Sequence, residues 1–145
     1  MLNVAGGEAL YGDVQKEKRS HRPHIDTHHY DTYRHPLEVI PGTPLYEWYR
    51  RRDLKVNSYH HQGIRDLGPR FKPMGHSDDG LVEAFYDSKA PFTVGLQFHP
   101  ERMLSEYPGN LRVWQAFARA VHTFTQSPHP RPSPKGRGPA FHDLP

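Results

Sequence analysis

Cysteine is absent from all 145 residues of the chain. Within these residues, its absence excludes disulfide bonds, thiolate metal ligands and a cysteine nucleophile. Long apolar runs are absent too, because no stretch approaches the roughly 20 apolar residues that cross a bilayer. The first residues also lack the charged and then apolar pattern of a secretory signal. We therefore expect a soluble, cytoplasmic protein with no membrane partner.

A strong excess of one charge is likewise missing. The formal net charge is +3 at pH 7, but residues 127–145 hold three basic residues and one acidic residue, which leaves +1 for residues 1–126. No basic patch follows from this distribution, so nucleic acid is not an expected partner. An apolar fraction of 34% in a chain of this length is enough for one domain with a modest core.

Alternating apolar residues and turn residues predict a mixture of strands and helices. The predicted strands cover residues 37–40, 55–58, 71–75, 81–86 and 92–99. The third and fourth of them form a hairpin around the Asp-Asp-Gly turn at 78–80. Thr43 is the expected N-cap of a short helix whose first residue is Pro44. Residues 16–36 are polar and rich in histidine, which predicts a long surface loop.

A final helix is predicted from an N-cap at Asn110 to about Gln126. One apolar stripe is expected along it, formed by Leu111, Trp114, Ala118, Val121 and Phe124. Residues 127–145 contain six prolines and two glycines, so we predict a disordered tail there. The expected division is one domain over residues 1–126 followed by this tail.

Catalytic chemistry is indicated by residues 95–101, which read GLQFHPE. His99 stands at the end of the last predicted strand, and Glu101 follows it after a stiffening proline. A carboxylate at that spacing can hold an imidazole in one tautomer, so that the imidazole acts as a general base. The pair alone is a weak signal, because a histidine at a strand end beside a glutamate is more often a surface pair. Such a relay also needs a nucleophile from another part of the fold.

Two further segments strengthen the signal, because residues 56–63 read VNSYHHQG and residues 79–84 read DGLVEA. Together with GLQFHPE, in this order, they resemble the C-terminal half of the class I glutamine amidotransferase-like superfamily. The resemblance is to the γ-glutamyl-γ-aminobutyrate hydrolase branch, the C26-type peptidases, with its plant glutamine amidotransferase-like members. It implies an α/β fold, namely the C-terminal half of a flavodoxin-like three-layer α/β/α domain.

The resemblance also implies roles for individual residues. His99 would be the general base and Glu101 the residue that orients it. Residues 2–13 are similar to the helix and turn that follow the nucleophile of this family, where a Gly-x-Cys-x-Gly elbow supplies the thiol and an oxyanion hole. The cysteine, the oxyanion hole and the first strands of the parallel sheet are therefore expected outside this chain, which is expected to be inactive alone.

The implied reaction of a complete member is thiol-dependent hydrolysis of a γ-glutamyl amide bond in a small-molecule substrate. No metal or organic cofactor is implied. Four polar residues at the end of the second predicted strand are candidate substrate contacts: Ser58, His60, His61 and Gln62. The competing interpretation is that the two histidines and Gln62 satisfy backbone groups of a loop.

Two other functions stay open at this point. The chain could be a catalytically inactive remnant that binds or regulates intact homologues, and its exposed sheet edge could support self-association. The histidine-rich loop could instead bind a transition metal through His21, His24, His28 and His29. An ordinary solvated loop explains these four residues more simply, because no acidic or thiolate partner stands at a fixed spacing.

Overall fold

The computed structural model describes residues 2–126. The tail predicted over 127–145 lies outside the described residues. The helices are α1 (Leu2–Ala5), α2 (Val14–Glu17), α3 (Pro44–Tyr49) and α4 (Pro108–Gln126), with a 3-10 turn over Pro100–Arg102. The strands are β1 (Leu10–Tyr11), β2 (Arg34–Val39), β3 (Asp53–Asn57), β4 (Gly63–Ile64), β5 (Phe71–Ser77), β6 (Val82–Asp87) and β7 (Val94–Leu96).

All seven strands belong to one sheet with the order β1-β4-β6-β5-β2-β3, and β7 pairs with β6 beside this path. The predicted α/β class is confirmed. Every pairing among the described strands is antiparallel, so the parallel strands of the complete three-layer fold are not found within residues 2–126. Strand β6 is central, because it pairs with β4, β5 and β7.

The predicted hairpin is confirmed as β5 and β6, in which Phe71 pairs with Asp87. Its turn is held by the carboxylate of Asp79, which accepts hydrogen bonds from the Ser77 hydroxyl at 2.5 Å and from the Leu81 amide at 3.2 Å. Gly80 has a φ of +81°, a conformation that glycine adopts without steric cost. The turn therefore connects the two strands closely, and their register shifts between Pro73 and His76.

Helix α3 is also confirmed. The Thr43 hydroxyl accepts a hydrogen bond from the Tyr46 amide at 3.4 Å, and Pro44 is the first helical residue. The helix ends at Arg50, which has left-handed backbone angles. Leu45 and Tyr49 are buried, so this short helix is held by packing against the core.

Helix α4 begins at Pro108, so the predicted N-cap at Asn110 is wrong. Proline is preorganised for a first helical position, and it starts the helix earlier than the polar residue suggests. Asn110 is fully buried and has a different task. Its side-chain Nδ2 atom donates to the Met103 carbonyl at 2.5 Å. Its Oδ1 atom accepts from the Tyr49 hydroxyl, and this bond joins α4 to α3.

The main core lies between the sheet and the two helices α3 and α4. Its buried residues are Leu37, Val39, Leu45, Tyr49, Leu54, Val56, Met74, Ala84, Phe98, Met103 and Val113. Only the first turns of α4 reach this core, through Gly109, Asn110 and Val113. The predicted apolar stripe is instead largely exposed, with Leu111 at 53%, Trp114 at 43% and Val121 at 45%.

Two predictions about the connecting segments need correction. The loop that follows α2 is not confined to the surface, because the side chain of His24 is only 1% exposed. The last strand is shorter than predicted and covers Val94–Leu96 only. One further backbone hydrogen bond to β6 follows it, from the Gln97 amide to the Glu83 carbonyl at 2.8 Å, and Phe98 then packs into the core. His99 therefore lies in the turn beyond β7. Within residues 2–126, no helix is long and apolar enough to cross a bilayer.

Candidate active site

His99 and Glu101 form a hydrogen-bonded pair, with 2.7 Å between the Nδ1 atom of His99 and the Oε1 atom of Glu101. The 3-10 turn that begins at Pro100 brings the carboxylate back toward the ring. A carboxylate can only accept, so Nδ1 carries a proton, and in the neutral ring Nε2 keeps its lone pair. Each side chain is 46% exposed. The free Nε2 atom can therefore take a proton from a group that approaches from outside the described residues.

The backbone of His99 is held by Asn57, the last residue of β3. The amide of His99 donates to Oδ1 of Asn57 at 2.7 Å, and Nδ2 of Asn57 donates to the carbonyl of His99 at 2.9 Å. Asn57 is fully buried. The amide and the carbonyl of His99 are thus both paired with one buried side chain, which fixes the position of the His99 backbone.

Two other side chains support the imidazole from one side. The Tyr59 ring meets the His99 ring edge to face, with ring centroids 5.4 Å apart. The guanidinium of Arg102 lies 4.5 Å from the centre of the Tyr59 ring, a favourable cation–π distance. Arg102 also pairs with Asp31 at 3.2 Å. Tyr59, itself covered by Arg102, thus packs against one side of the His99 ring.

A groove of about 310 Å³ runs beside His99 and Glu101. Its other walls are mainly apolar and come from β7, the segments on both sides of it and helix α4: Phe92, Val94, Leu96, Phe98, Pro100, Val113, Trp114 and Phe117. The pair thus stands at the border between a polar turn and an apolar surface. A neighbouring structural element could cover this groove and exclude water from the base.

The four candidate substrate contacts divide into two groups. Ser58 is buried, and its hydroxyl donates to the His24 carbonyl at 2.5 Å. The carbonyl of His61 accepts from the Val14 amide at 2.7 Å. The His61 contact involves its backbone only, whereas the side chain of His60 contacts a loop carbonyl, with 2.8 Å between its Nδ1 atom and the oxygen of Gln62. The substrate contacts stay predictions. His60 and Gln62 line a second pocket, of about 230 Å³, whose walls include Asn3, Leu96 and Gln97.

A cluster of buried titratable groups lies on the other side of His60. His24, His35, His60 and Glu83 each direct one ligand-type atom into a space in which all four atoms lie within 4.8 Å of one another. The sequence did not predict this cluster. Of the four histidines considered as metal ligands from the sequence, only His24 belongs to it. His29 instead pairs with Asp26 at 3.0 Å on the exposed surface.

The groups in this cluster have shifted ionisation. Burial alone would raise the pKa of Glu83, but the facing imidazoles of His24 and His60 hold it at about 2. Burial is the largest influence on His35 and lowers its pKa. Burial lowers the pKa of His24, but its contacts with Glu83 and Asp79 outweigh burial and raise it. Glu83 is therefore a fully buried carboxylate, and the pKa shifts favour a neutral His35 and a His24 that holds its proton more tightly.

Asn57 and Glu83 are the important residues that the sequence did not single out. Each is a polar residue next to buried apolar residues of a strand, Val56 in one case and Ala84 in the other. A polar residue at a core position of a strand is a usable signal, because burial without a partner is costly. The partners themselves lie too far away in sequence to be identified from this pattern.

Comparison of the sequence with known proteins identifies the family of the chain. A profile of the Peptidase C26 family matches residues 1–101. The γ-glutamyl-γ-aminobutyrate hydrolase PuuD of Escherichia coli K12 is 42% identical over 124 residues, which cover 82% of this chain and 49% of that protein. Protein NtpR of Enterococcus hirae is 38% identical over 105 residues, covering 70% of this chain and 43% of that protein. The chain thus spans about half the length of these relatives.

Solved structures show the same fold at lower sequence identity. A proposed GMP synthase component from Thermoplasma acidophilum superimposes with a TM-score of 0.63 at 15% identity, over 86% of this chain and 53% of that chain. A glutamine amidotransferase of Thermotoga maritima superimposes with a TM-score of 0.50 at 20% identity, over 88% of this chain and 46% of that chain. By its sequence motifs, its profile match and its fold, the chain belongs to the Peptidase C26 family of the class I glutamine amidotransferase-like superfamily.

Proposed function

We propose that this chain provides the general-base half of an active site that hydrolyses γ-glutamyl amide bonds in small molecules. The observation that carries the proposal is the 2.7 Å contact from Nδ1 of His99 to Glu101, which leaves Nε2 free to accept a proton. The substrate class is proposed from the resemblance to γ-glutamyl-γ-aminobutyrate hydrolases and from the similarity to the Escherichia coli relative.

The nucleophile has to come from outside these 145 residues, because none of them is a cysteine. In the proposed reaction, Nε2 of His99 takes the proton of that thiol, and the thiolate attacks the γ-carbonyl carbon. The imidazolium then returns the proton to the leaving amine as the carbon–nitrogen bond breaks, which leaves a glutamyl thioester. A water molecule then gives a proton to the same nitrogen and attacks the thioester carbon. The carbon–sulfur bond breaks, glutamate is released, and the proton returns to the sulfur. Glu101 stabilises the imidazolium through the Nδ1 proton.

A second candidate function is a non-catalytic one, in which the chain binds or regulates intact homologues. The exposed apolar stripe of α4 favours it, because Leu111, Trp114 and Val121 present an apolar surface that a partner could cover. Self-association through the sheet edge belongs to the same proposal. Strand β7 pairs with β6 alone among the strands of residues 2–126, which leaves its other edge open to a further strand.

Co-expression tests the catalytic proposal. The chain is produced together with the N-terminal half of a close homologue that carries the Gly-x-Cys-x-Gly elbow, and release of γ-aminobutyrate from its γ-glutamyl amide is measured. We expect no turnover by the chain alone and restored turnover by the pair. His99→Ala should reduce the restored rate by about 10²–10⁴-fold, the usual contribution of a general base. Glu101→Gln should cause a smaller loss, and His122→Ala, on the exposed side of α4, should leave the rate unchanged.

Three results would change the assignment. Turnover by the chain alone would contradict a nucleophile outside these residues. Restored turnover that survives His99→Ala would refute the role of His99. Copurification of the two halves with no hydrolysis would favour the non-catalytic candidate, in which His99 and Glu101 are only a surface pair.

A further inference from the structure

The buried cluster of His24, His35, His60 and Glu83 is assembled from four separate segments. His24 comes from the loop after α2, His35 from β2, His60 from the turn after β3, and Glu83 from the central strand β6. Three of the side chains are at most 1% exposed and His60 is 15% exposed. Ionisable groups are seldom buried together at this density unless something compensates their charge.

Each histidine of the cluster has one ring nitrogen that faces Glu83, the inward nitrogen, and one that faces away, the outward nitrogen. Every outward nitrogen faces an oxygen acceptor. Nε2 of His24 lies 3.0 Å from Oδ2 of Asp79. Nδ1 of His35 lies 2.9 Å from the Pro36 carbonyl, and Nδ1 of His60 lies 2.8 Å from the Gln62 carbonyl. An oxygen acceptor requires a proton on the nitrogen that faces it. In each neutral ring the proton is therefore on the outward nitrogen, and the inward nitrogen keeps a lone pair.

The inward atoms all converge on the carboxylate of Glu83. Its Oε1 atom lies 3.3 Å from Nδ1 of His24, 3.6 Å from Nε2 of His60 and 3.8 Å from Nε2 of His35. None of these three nitrogens has a hydrogen-bond partner, and neither oxygen of Glu83 has one. When all three rings are neutral, three lone pairs face a buried carboxylate, and this arrangement is repulsive. A cation between them would turn this repulsion into coordination.

We propose that His24, His35, His60 and Glu83 bind one divalent transition-metal ion of the zinc type. The three nitrogen-to-oxygen distances of 3.3–3.8 Å are close to this geometry, and the four ligand atoms, which lie within 4.8 Å of one another, would move slightly inward to bind the ion. Tetrahedral ligands at about 2.0–2.2 Å from an ion are separated from each other by about 3.3–3.6 Å. Three imidazoles with one carboxylate form a donor set that suits zinc and cobalt better than magnesium or calcium, which take oxygen ligands.

The groups around the ion match its charge and fix its ligands. Three neutral imidazoles, the carboxylates of Glu83 and Asp79 and a divalent cation sum to zero net charge. Asp79 holds His24 in the way that a carboxylate behind a metal-bound histidine usually does, and the Pro36 and Gln62 carbonyls do the same for the other two rings. The assignment goes beyond the cofactor-free chemistry that the family resemblance implies.

The site would have a structural role. Four protein ligands complete a tetrahedral shell and leave no open position for water or substrate, which is typical of structural zinc sites. The ion would join the histidine-rich loop to β2, to β6 and to the turn that follows Asn57. It would therefore stabilise the part of the fold that positions His99 without taking part in proton transfer. The proposal stands independently of the catalytic one.

Metal binding by the full chain tests this inference directly. After treatment with a chelator, the chain is loaded with Zn²⁺ or Co²⁺, passed through a desalting column and analysed for metal content. We expect one equivalent of Zn²⁺ to be retained and Co²⁺ to give the intense visible absorption of a tetrahedral site. Zinc at about 100 times its Kd should raise the Tm by about 10 °C.

Two variants separate this site from adventitious binding. His60→Gln removes the most exposed ligand and should abolish the tetrahedral Co²⁺ spectrum. The combined variant His21→Ala, His28→Ala and His29→Ala removes the exposed loop histidines and should retain both the metal and the spectrum. Because His60→Gln could fail to fold, the unmodified chain carries the decisive measurement.

Absence of retained metal in the folded unmodified chain would overturn the proposal, as would a weak octahedral Co²⁺ spectrum. Loss of binding in the loop variant would also overturn it, because the ion would then be on the surface. If the proposal is overturned, the imidazole nitrogens of the cluster can be observed by NMR. A doubly protonated ring would identify a charged histidine as the partner of Glu83.

Discussion

Asn57 links the sheet to the candidate base through two hydrogen bonds to the backbone of His99. The side chain is fully buried, so water does not replace these bonds when they are lost. A positioning residue of this kind affects both the stability of the fold and the placement of the imidazole.

Asn57→Ala should therefore lower the free energy of unfolding by about 1–3 kcal/mol, the usual cost of leaving a buried polar group unpaired. Chemical denaturation of the full chain measures it. Lys55→Ala, at an exposed position of the same strand, should stay within about 0.5 kcal/mol of the unmodified chain. Equal stability of the Asn57 and Lys55 variants would show that the two hydrogen bonds do not contribute.

Single residues also show how far a sequence can be interpreted without a structure. His99 and Glu101 are close in sequence, so their hydrogen bond follows from a local turn and could be predicted. Asn57 and Glu83 could not be predicted, because their partners come from distant segments. The roles of Ser58 and His61 stay predictions for the same reason. The sequence around a polar residue is the same whether that residue contacts a substrate or a backbone group of the loop.

Among the elements, β7 depends on a very close approach to β6. A side-chain carbon added at Gly95 would lie 2.2 Å from the Phe85 ring, which belongs to a buried cluster with Ile64 and Phe71. The absence of a side chain at this position lets the strand that leads to His99 pair with the central strand.

Gly95→Ala should therefore destabilise the chain by about 1–3 kcal/mol through overpacking. Phe85→Leu removes the ring that causes the clash. In the background of Phe85→Leu, the cost of Gly95→Ala should fall by about 1 kcal/mol or more, an interaction that a double-mutant cycle in denaturant measures. Additive effects of the two substitutions would argue against the contact as the reason for glycine.

Elements that have a local sequence signal are predicted correctly, whereas features that depend on tertiary contacts are not. Helix α3 and the β5–β6 hairpin were predicted from a cap and a turn, and both are present. The start of α4 was misplaced because Asn110 is used for contacts with Tyr49 and Met103 rather than for capping. Burial of His24 was missed because a histidine-rich sequence carries no information about which ring enters the core.

At the scale of the whole molecule, α4 carries an apolar surface that the described core does not bury. Its exposed apolar residues are Leu111, Trp114, Phe117, Val121 and Phe124. An apolar surface of this extent on one helix is typical of an interface. The chain spans about half the length of its relatives, and the stripe is a surface that other elements of a complete domain could cover.

The full chain alone should therefore bind a hydrophobic dye and self-associate. Replacing Trp114 and Val121 with glutamate should reduce both effects, as judged by dye fluorescence and sedimentation velocity. Gln115→Glu adds a charge outside the stripe and should change neither. A monomer that binds no dye and unfolds in one sharp thermal transition would contradict an uncovered interface.

The central position of β6 has a consequence for the order of folding. Its pairing with β5 closes only a short turn, whereas the contact of Asn57 with His99 joins residues 42 positions apart. Loop-closure entropy favours the hairpin as an early structure and places the long-range clamp late. The imidazole would thus reach its final position after most of the sheet has formed, so a chain arrested before that step would have its strands but no aligned base.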